Sequence, residues 1–550
     1  MTARLFRLHR GSLSPLVLTA FLIALLAGLP VASVGFNLFL GGTNNTWTHL
    51  ADTVLPEYIG NSLALCLGVG FGVAVIGVMT AWLTAMHDFP GRKVFEWALV
   101  IPLAMPAYVM AYVYTDFLQF VGPVQTGLRE LFEWRRGDYY FPDIRTLPGA
   151  MLMFVFVLYP YVYLLARTAF LERAGGVLEA ARTLGIGPWR AFFTISLPLA
   201  RPAVAAGVAL ALMETLADYG TVAYFAVNTF TTGIYRAWFS LGDRIASAQL
   251  AAILLGFVLL LVVIERFTRG RARYHNTSQR VRPPVSRLPR GAGLLAMLAC
   301  ALPLTLGFLL PATLLLRMAF GEGDSQFGAR FITLAGNSLT LAGLTALVAV
   351  LLAVLLAYSA RLTKTMLSRS LNRLVGLGYA VPGTVIAVGV LIPVTRLDNW
   401  LAAQWLAWFG INPGLLLTGG IAALIYAYLV RFLAVALQTV EASLSKITPS
   451  MDDAARSLGL GQGGTLRRVH VPILRGSLFT AGLLVFVDVM KELPATLVMR
   501  PFNFDTLATQ TYVLASDERL TEASTAALAI VVVGLLPLIA LSRQISRQRN

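Results

Sequence analysis

Apolar runs of about 20 residues recur along the whole chain, and each is long enough to cross a lipid bilayer as a helix. Hydrophobic residues make up 57% of the sequence and charged residues 13%. A soluble domain carries about a quarter charged residues, so the composition excludes that class and predicts an all-α polytopic membrane protein. The predicted spans number about twelve and lie at 15–38, 62–84, 95–117, 149–168, 203–223, 246–265, 292–316, 338–359, 374–395, 415–435, 476–493 and 523–542.

Basic residues fall in clusters between the apolar runs. With the amino terminus inside, all of these clusters lie on one side of the membrane, and only the 119–148 loop goes against the trend. This positive-inside bias predicts a multi-pass membrane protein with both termini cytoplasmic. It explains the net charge of +16 without a nucleic-acid partner. The clusters are Arg4 to Arg10, Arg92 with Lys93, the eight arginines of 266–290, the four basic residues from Arg361 to Arg373, and Arg543 to Arg549.

One short polar segment occurs twice, 274 residues apart. Each copy lies between the fourth and fifth predicted spans of its half, on the inner side. We predict a short helix ended by Gly185 or Gly459, and then a second short helix before a proline that starts the return to the membrane. The first copy reads Glu179-Ala180-Ala181, Gly185 and Ile195-Ser196-Leu197-Pro198, and the second reads Asp453-Ala454-Ala455, Gly459 and Val469-His470-Val471-Pro472.

These copies belong to a longer repeat with a nearly constant offset. Because each half holds about six spans, both halves enter the membrane in the same direction, which gives a parallel repeat with a pseudo-twofold axis along the membrane normal. We predict a first half at 1–265, a basic cytosolic linker at 266–290 and a second half at 291–550. The matching pairs are Gly60-Asn61-Ser62-Leu63 with Gly336-Asn337-Ser338-Leu339, Pro106 with Pro382, and Phe230-Thr231-Thr232 with Phe504-Asp505-Thr506.

We interpret the doubled segments, at about 171–200 and 443–474, as two equivalent docking sites for a partner outside the membrane. An ordinary structured loop would not need the same residue types at the same spacing in both halves. The segments resemble the Glu-Ala-Ala signature of permease subunits of ATP-binding-cassette importers. The resemblance covers essentially the whole chain and implies the type I importer permease fold (MetI-like) with its two halves fused.

That resemblance also implies partners. In such importers the short helix enters a cleft of an ATPase subunit, so two copies of a cytosolic ATPase and a periplasmic binding protein are expected, with alternating access driven by ATP. The implied docking residues are Glu179, Ala180, Ala181, Gly185, Asp453, Ala454, Ala455 and Gly459.

Nothing in the sequence suggests that the chain itself binds ATP or acts as an enzyme. It has no Gly-x4-Gly-Lys-Ser/Thr phosphate loop, no His-Glu-x-x-His and no Cys-x-x-Cys. The Gly-rich run at 459–464 spells a dinucleotide motif, but it has no strand before it and lies inside the second docking segment. We therefore expect no cofactor and no firmly assigned metal site in this chain, with ATP used by the partner subunits.

Four acidic residues lie in predicted spans and are costly there, at about 2.5 to 3.5 kcal/mol each on insertion scales. Glu214 and Asp218 in the fifth span match Asp488 and Glu492 in the eleventh, 274 residues on. The i, i+4 spacing predicts that each pair shares one helix face. We regard them as candidates for a cation translocation pathway; the alternative is that they are paired internally, for example with Lys491, as gate contacts.

The neighbourhoods of these acids resemble the ferric-iron branch of the permease family, which implies Fe(III) as the substrate. Thiamine, another cation, is the alternative within the family. An ion-coupled secondary transporter is the alternative from another class, because it too needs acids in the membrane. It would not need two matching docking helices. The resembling stretches are Met213–Thr221 with Phe230–Trp238, and Lys491–Thr496 with Arg500–Thr506.

Overall fold

The computed structural model describes residues 15–39, 46–173, 181, 183–269, 286–321, 327–363 and 365–547. These residues are almost entirely helical. Two short parallel strands, His87–Asp88 and Ser286–Arg287, pair with each other. The α-helices are Pro15–Asn37, Thr46–Thr53, Leu55–Met86, Arg92–Ala98, Ala107–Leu118, Pro123–Phe132, Leu147–Arg173, Pro188–Ala191, Leu197–Ala217, Gly220–Tyr224, Phe230–Tyr235, Arg244–Arg269, Arg290–Leu304, Leu310–Gly321, Ala329–Thr363, Met366–Gly376, Gly383–Phe409, Ala422–Leu444, Pro449–Ser457, Gln462–Thr465, Val471–Met490, Pro494–Met499, Leu507–Ser516 and Leu520–Arg547.

Eleven helical segments of the described chain are long and apolar enough to cross a membrane. Two further segments, Arg92–Ala104 and Ala107–Phe132, pass the same test together but are bent by 91° at their junction, which raises the number to twelve if they form one span. The predicted all-α fold with about twelve spans is therefore confirmed. Short turns of wider, π-type helix occur at Phe192–Ser196, Arg236–Ser240, Thr305–Leu309 and Leu466–His470, and 3₁₀ turns at Ile101–Ala104 and Gly378–Ala380.

The third and ninth predicted spans differ from the observed helices for the same reason. Pro106 has extended backbone (φ −63°, ψ 141°) and the next helix begins at Ala107. In the second half the helix Gly383–Phe409 begins directly after Pro382. Proline lacks an N–H and disfavours helical backbone at the residue before it, and it is well placed at a helix start. Other helices of this chain continue through a proline, such as Pro202, but these two prolines mark a break. The predicted runs 95–117 and 374–395 are therefore broken at their shared proline.

The described chain packs as two compact units, and each unit takes segments from both sequence halves. One unit comprises 1–33, 340–381 and 389–489, and the other comprises 34–339, 382–388 and 490–550. The predicted division into halves rests on the sequence repeat and stays a prediction. Residues 270–285 of the predicted linker lie outside the described residues.

In the larger unit, the helices Leu55–Met86 and Leu147–Arg173 pack closely along their length because small residues face the contact. A Cβ at Gly68 would come within 2.4 Å of Met151, and a Cβ at Gly72 within 2.5 Å of Val155. Such close approach through small residues drives helix association in membranes, where lipid is as apolar as the side chains. This packing forms much of the core of that unit.

In the smaller unit, the first helix, Pro15–Asn37, is held by side-chain hydrogen bonds to its backbone. Tyr426 donates its hydroxyl hydrogen bond to the carbonyl of Leu26 at 2.6 Å, and Ser359 donates to the carbonyl of Leu16 at 3.2 Å. The carbonyl of Leu26 has no donor four residues on in its own helix, because Pro30 lacks an N–H, so Tyr426 supplies the missing bond. The two hydrogen bonds tie the amino-terminal helix to the helices Ala329–Thr363 and Ala422–Leu444.

The repeat has the same hydrogen bonds in both halves, which fixes its register. Asn61 donates to the carbonyl of Asn228 at 2.8 Å, and Asn337 donates to the carbonyl of Asp505 at 2.9 Å. The residue after each acceptor begins a reciprocal capping box, Thr229 with Thr232 and Thr506 with Thr509. The structure therefore pairs Thr229 with Thr506. The predicted match of 230–232 with 504–506 is wrong by three residues, because the chain between the acids and this cap is longer in the second half.

Candidate functional site: two docking segments and four acids

The second docking segment lies wholly within the described residues. Its first helix, Pro449–Ser457, ends before Gly459, which has the left-handed backbone (φ 80°) that favours glycine. The predicted break at this glycine is confirmed. The following helix begins at Gln462 and runs to Met490 without interruption. Pro472 therefore does not start a separate element, because the wide turn Leu466–His470 immediately before it joins the two helices.

The first docking segment is described only in part. Glu179 and Ala180 lie outside the described residues, whereas Ala181 and Gly185 lie within them. Gly185 has the same left-handed backbone as its counterpart (φ 75°). From Phe192 the chain is helical to Ala217, again through a π-type turn, at Phe192–Ser196. The glycine break and the wide turn therefore occur at equivalent positions in both halves.

The docking helix of the second half presents one face outward. Ala455 is 3% exposed and packs inward, as does its counterpart Ala181. Asp453 and Ala454 are exposed, and Asp453 pairs only with the neighbouring Arg456, at 2.6 Å, among the contacts described for it. Leu458, next to the glycine, is 81% exposed. This face is therefore available to a partner.

Sequence reasoning missed that exposed leucine and its counterpart. Leu184, 274 residues before Leu458, is 78% exposed. Large side chains exposed this fully are informative when they recur at equivalent places, because apolar anchors dominate the energetics of protein interfaces. The signal was present in the sequence, since a leucine precedes the glycine in both copies.

An ionic network anchors the second docking helix from behind. Asp452 accepts hydrogen bonds from Arg361 at 2.8 and 3.1 Å and contacts Nε2 of His470 at 2.7 Å. Partial burial acts to raise the pKa of Asp452, but the hydrogen bonds from Arg361 and His470 outweigh it, so its pKa is lowered from the usual value. Arg361 also donates to the carbonyls of Leu444 and Ile447. One guanidinium thus joins the docking helix to the end of the preceding span.

The same network holds the wide turn. The ring of Tyr358 meets the ring of His470 edge-on, with centroids 5.5 Å apart, and its hydroxyl donates to the carbonyl of Gln462 at 2.7 Å. His470 is 1% exposed. The docking helix, the turn and the helix Ala329–Thr363 are therefore fixed to one another.

An aromatic cluster anchors the first docking segment instead. Trp82 lies with its ring centroid 4.8 Å from that of Phe192 and 5.2 Å from that of Phe170. Phe192 begins the wide turn, and Phe193 packs edge-on against it at 4.9 Å. Ser196, at the position equivalent to His470, has a buried hydroxyl with no hydrogen-bond partner in the described part of the chain.

One further polar contact is inverted between the halves. In the first half Arg167 pairs with Glu96, with 3.5 Å between guanidinium nitrogen and carboxylate oxygen. In the second half Asn372 donates to Glu441 at 2.6 Å. Residue 96 corresponds to 372 and residue 167 to 441 by the repeat offsets. The carboxylate therefore lies on opposite members of the same helix pair.

The four acids do not share helix faces as predicted. The helix Leu197–Ala217 contains Glu214 but ends before Asp218, and the helix Val471–Met490 contains Asp488 but ends before Glu492. The prediction of one shared face per pair is wrong, because the i, i+4 argument holds only while the helix continues.

The second acid of each pair, Asp218 or Glu492, has a structural task at these helix ends. Asp218 accepts hydrogen bonds from the backbone N–H and hydroxyl of Thr221, at 2.9 and 3.2 Å. Glu492 accepts one from the backbone N–H of Ala495 at 3.2 Å. Each therefore caps the short helix that follows, Gly220–Tyr224 or Pro494–Met499, as carboxylates do at helix starts. A translocation role for the four acids stays a prediction.

The chain brings the two capped helix starts together. A Cβ at Gly220 would lie 2.7 Å from Leu493 and 2.7 Å from Tyr108, so only glycine allows this approach. Leu493 follows Glu492, and Gly220 follows Asp218 and Tyr219. In the described residues no three His, Cys, Asp or Glu side chains are grouped as metal ligands would be.

The long apolar helices define a multi-pass membrane protein. The family model of the binding-protein-dependent transport system inner membrane component matches residues 73–270. The Fe(3+)-transport system permease protein FbpB 2 of Haemophilus influenzae is 26% identical over 95% of this chain and 97% of its own length. The molybdenum transport system permease protein ModB of Escherichia coli is 30% identical over 40% of this chain and 96% of its own length.

A solved bacterial transporter for the import of alginate aligns with 47% of this chain and 96% of its own, at 20% identity and a TM-score of 0.35. The chain belongs to the family of inner-membrane components of binding-protein-dependent transport systems. It is a permease of an ATP-binding-cassette importer with two fused halves, and its family consists of transport subunits.

Proposed function

We propose that this chain is the membrane subunit of a bacterial importer for Fe(III). It works with two copies of a cytosolic ATPase, which hydrolyse ATP, and with a periplasmic binding protein that delivers the substrate. Both termini lie on the cytoplasmic side of the inner membrane, as the positive-inside bias favours. The observation that carries the proposal is the doubled docking segment, with an exposed leucine and a left-handed glycine in each copy. Iron as the substrate is supported by the Haemophilus relative that aligns with nearly the whole chain.

The helices that follow the docking segments offer a mechanical link to the membrane. The run Gln462–Met490 is one continuous helix that begins in the docking segment and contains Asp488. At 1.5 Å per residue, about 39 Å separate Gln462 from Asp488 along the axis. The run Phe192–Ala217 does the same for Glu214. Movement of an ATPase subunit would thus be transmitted along a continuous helical run to an acid in the last turn of each span.

We further propose that Glu214 and Asp488 line the cation pathway. Both lie in the last turn of a long apolar helix, and an acid in such a helix costs enough free energy that a functional role is expected. Asp218 and Glu492 serve the pathway indirectly, by shaping the helix breaks that end the same two helices. The two roles, lining the pathway and shaping the helix break, follow from whether the acid lies before or after the end of its helix.

The test is uptake of ⁵⁵Fe by proteoliposomes that contain the permease, its ATPase and the binding protein, with ATP inside. We expect uptake to be lost in the double variant Glu214→Gln and Asp488→Asn, while ATPase subunits still co-purify with the permease. Glu518→Gln is the matched control, because it neutralises an acid that is 75% exposed. Unchanged uptake in the double variant would refute the pathway assignment.

A second candidate substrate is molybdate, favoured by the 30% identity with the molybdenum permease. The same vesicles distinguish the two, because molybdate is an anion and gains nothing from carboxylates in the pathway. Accumulation of ⁹⁹Mo-molybdate without ⁵⁵Fe uptake in the unaltered protein would overturn the iron proposal and leave the permease mechanism in place.

A further inference from the structure

A cavity of about 470 Å³ lies in the larger unit, between the segment after the fifth span and the helix Leu507–Ser516. Its lining is unusually rich in hydroxyl and amide groups for so hydrophobic a protein. The side chains that matter for its chemistry are those of Tyr219, Asn228, Thr232, Tyr235, Arg236 and Tyr512.

Two of the tyrosines occupy equivalent positions in the two halves. Tyr235 lies six residues after the capping threonine Thr229, and Tyr512 lies six residues after Thr506. The ring of Tyr219 contacts both, with centroids 4.6 Å from Tyr235 and 5.7 Å from Tyr512. The two equivalent rings are therefore at most about 10 Å apart. In a parallel repeat, equivalent residues come this close only near the pseudo-twofold axis, where a pathway shared by both halves runs.

Arg236 breaks the symmetry of the cavity. Its equivalent in the second half is Val513, and it is the one charged residue among the described residues that line the cavity. Its guanidinium donates to the amide oxygen of Asn228 at 3.2 Å. Asn228 is itself fixed, because it donates to Glu57 at 2.9 Å and accepts from Asn61 at 2.8 Å. The guanidinium is thus positioned by an amide, and the carboxylate of Glu57 lies on the far side of that amide, outside the lining of the cavity.

The tyrosines add hydrogen-bond donors and no negative charge. A phenol hydroxyl is neutral at physiological pH, so the three tyrosines contribute donors without charge. No carboxylate belongs to the described lining of the cavity. A lining with one cation and several neutral donors suits an oxyanion. The oxygens of the oxyanion can accept charge-assisted hydrogen bonds from the guanidinium and further hydrogen bonds from the hydroxyls.

We propose that Arg236, with the hydroxyls of Tyr219, Tyr235 and Tyr512, forms a binding site for an oxyanion, a carboxylate or tetrahedral oxoanion group, at the outer end of the translocation pathway. The location on the outer side rests on the proposed function. Ferric ion in neutral water is carried by oxygen ligands, so the site would hold the anionic ligand that accompanies the metal. If the substrate is molybdate, the site would hold the substrate itself.

The test uses the full-length permease in lipid nanodiscs, without ATPase or binding protein, titrated with sodium citrate, phosphate or molybdate in a calorimeter. We expect at least one of these anions to bind, and Arg236→Gln to weaken that binding at least tenfold. Arg236→Lys retains the charge but loses the planar guanidinium, so its anion affinity should lie between that of the unaltered protein and that of Arg236→Gln. Tyr512→Phe removes one donor and should weaken binding about threefold. The anion that binds most tightly distinguishes a ligand of iron from a transported oxyanion.

The matched control is Arg244→Gln, which removes a nearby arginine that packs over the ring of Trp238 at 5.9 Å and does not line the cavity. Its anion affinity should be unchanged, and thermal unfolding should show that all variants are folded. Equal losses in Arg236→Gln and Arg244→Gln, or no anion binding by the unaltered protein, would overturn the proposal.

A visible phenolate-to-iron absorption band that forms with Fe(III) alone and survives Arg236→Gln would also overturn it, because it would show a cation site. The result of this anion-binding test can be distinguished from the result of the iron-uptake test. Anion binding that depends on Arg236, together with a complete transporter that fails to take up ⁵⁵Fe, would refute iron as substrate and leave the anion site standing.

Discussion

The two docking segments have the same outer shape and different interiors. Both have a buried alanine, an exposed leucine, a left-handed glycine and a wide turn at equivalent positions. Behind them, the second is held by Arg361, Asp452 and His470, and the equivalent residues of the first are Ala85, Leu178 and Ser196. The surface offered to a partner is kept while its support has diverged. If an ATPase subunit docks on these segments as proposed, it constrains the exposed face and leaves the contacts behind that face free to differ.

The largest expected effect comes from removing the cation of the second segment. Arg361→Ala leaves Asp452 without its main partner in a mostly covered position, which we expect to cost about 3 kcal/mol of unfolding free energy. Thermal unfolding of the purified permease measures it. Arg456→Ala is the control, because its pair with Asp453 is exposed and worth at most about 1 kcal/mol. Equal losses of unfolding free energy in the two variants would show that the contacts of Arg361 with Asp452 add no more stability than an exposed ion pair.

The corresponding change in the first segment is Trp82→Ala. It removes the ring that contacts Phe170 and Phe192, and we expect a loss of about 2 to 3 kcal/mol because Trp82 is only half-buried. Trp82→Phe keeps an aromatic ring and should recover much of the loss. If Trp82→Ala instead weakened ATPase binding at the second segment as strongly as at the first, the two supports would not be independent.

The outer faces should respond alike. Leu184→Ser and Leu458→Ser each remove an exposed anchor, and each should weaken ATPase binding about tenfold, as the loss of one buried leucine at an interface predicts. Affinity of the purified ATPase for the permease in nanodiscs measures this. Leu241→Ser, a leucine of similar chemistry that is 51% exposed outside the docking segments, should have no effect. A one-sided loss would show that the faces have diverged too.

The smallest effect is a dependence on acid pH confined to the second segment. The pKa of Asp452 is lower in the folded protein than in the unfolded chain, so its stabilising contribution is present at neutral pH and is lost as the pH falls through the folded value. Unfolding measured from pH 6 downward should therefore show a stability loss below about pH 4 that is reduced in Asp452→Asn. An unchanged pH profile in that variant would contradict the assignment.

Much of the fold could be predicted because hydropathy and helix length act locally. The runs of apolar residues located the spans, and the recurrence of Gly185 and Gly459 located both docking turns. Pro106 and Pro382 were recognised as a matched pair, but their effect on the helices was not, because apolar composition continues through the break. The helix ends before Asp218 and Glu492 were missed for the same reason.

The network behind the second docking helix could not be predicted from the repeat. Its members Arg361, Asp452 and His470 are far apart in the sequence and have no counterparts in the first half. A comparison of repeats draws attention to what the copies share, whereas this network consists of what they do not share. The capping threonines were misaligned by three residues because short insertions between matched motifs leave no trace in composition.

The inverted contact between Glu96 with Arg167 and Asn372 with Glu441 has a consequence for how such a chain changes over time. If the helix Arg92–Ala98 were copied into the second half by gene conversion, it would place the carboxylate of Glu96 against that of Glu441. Each half is then committed to its own partner helices, and recombination between the halves is penalised. At this contact the two halves are no longer interchangeable, although they are inherited as one gene.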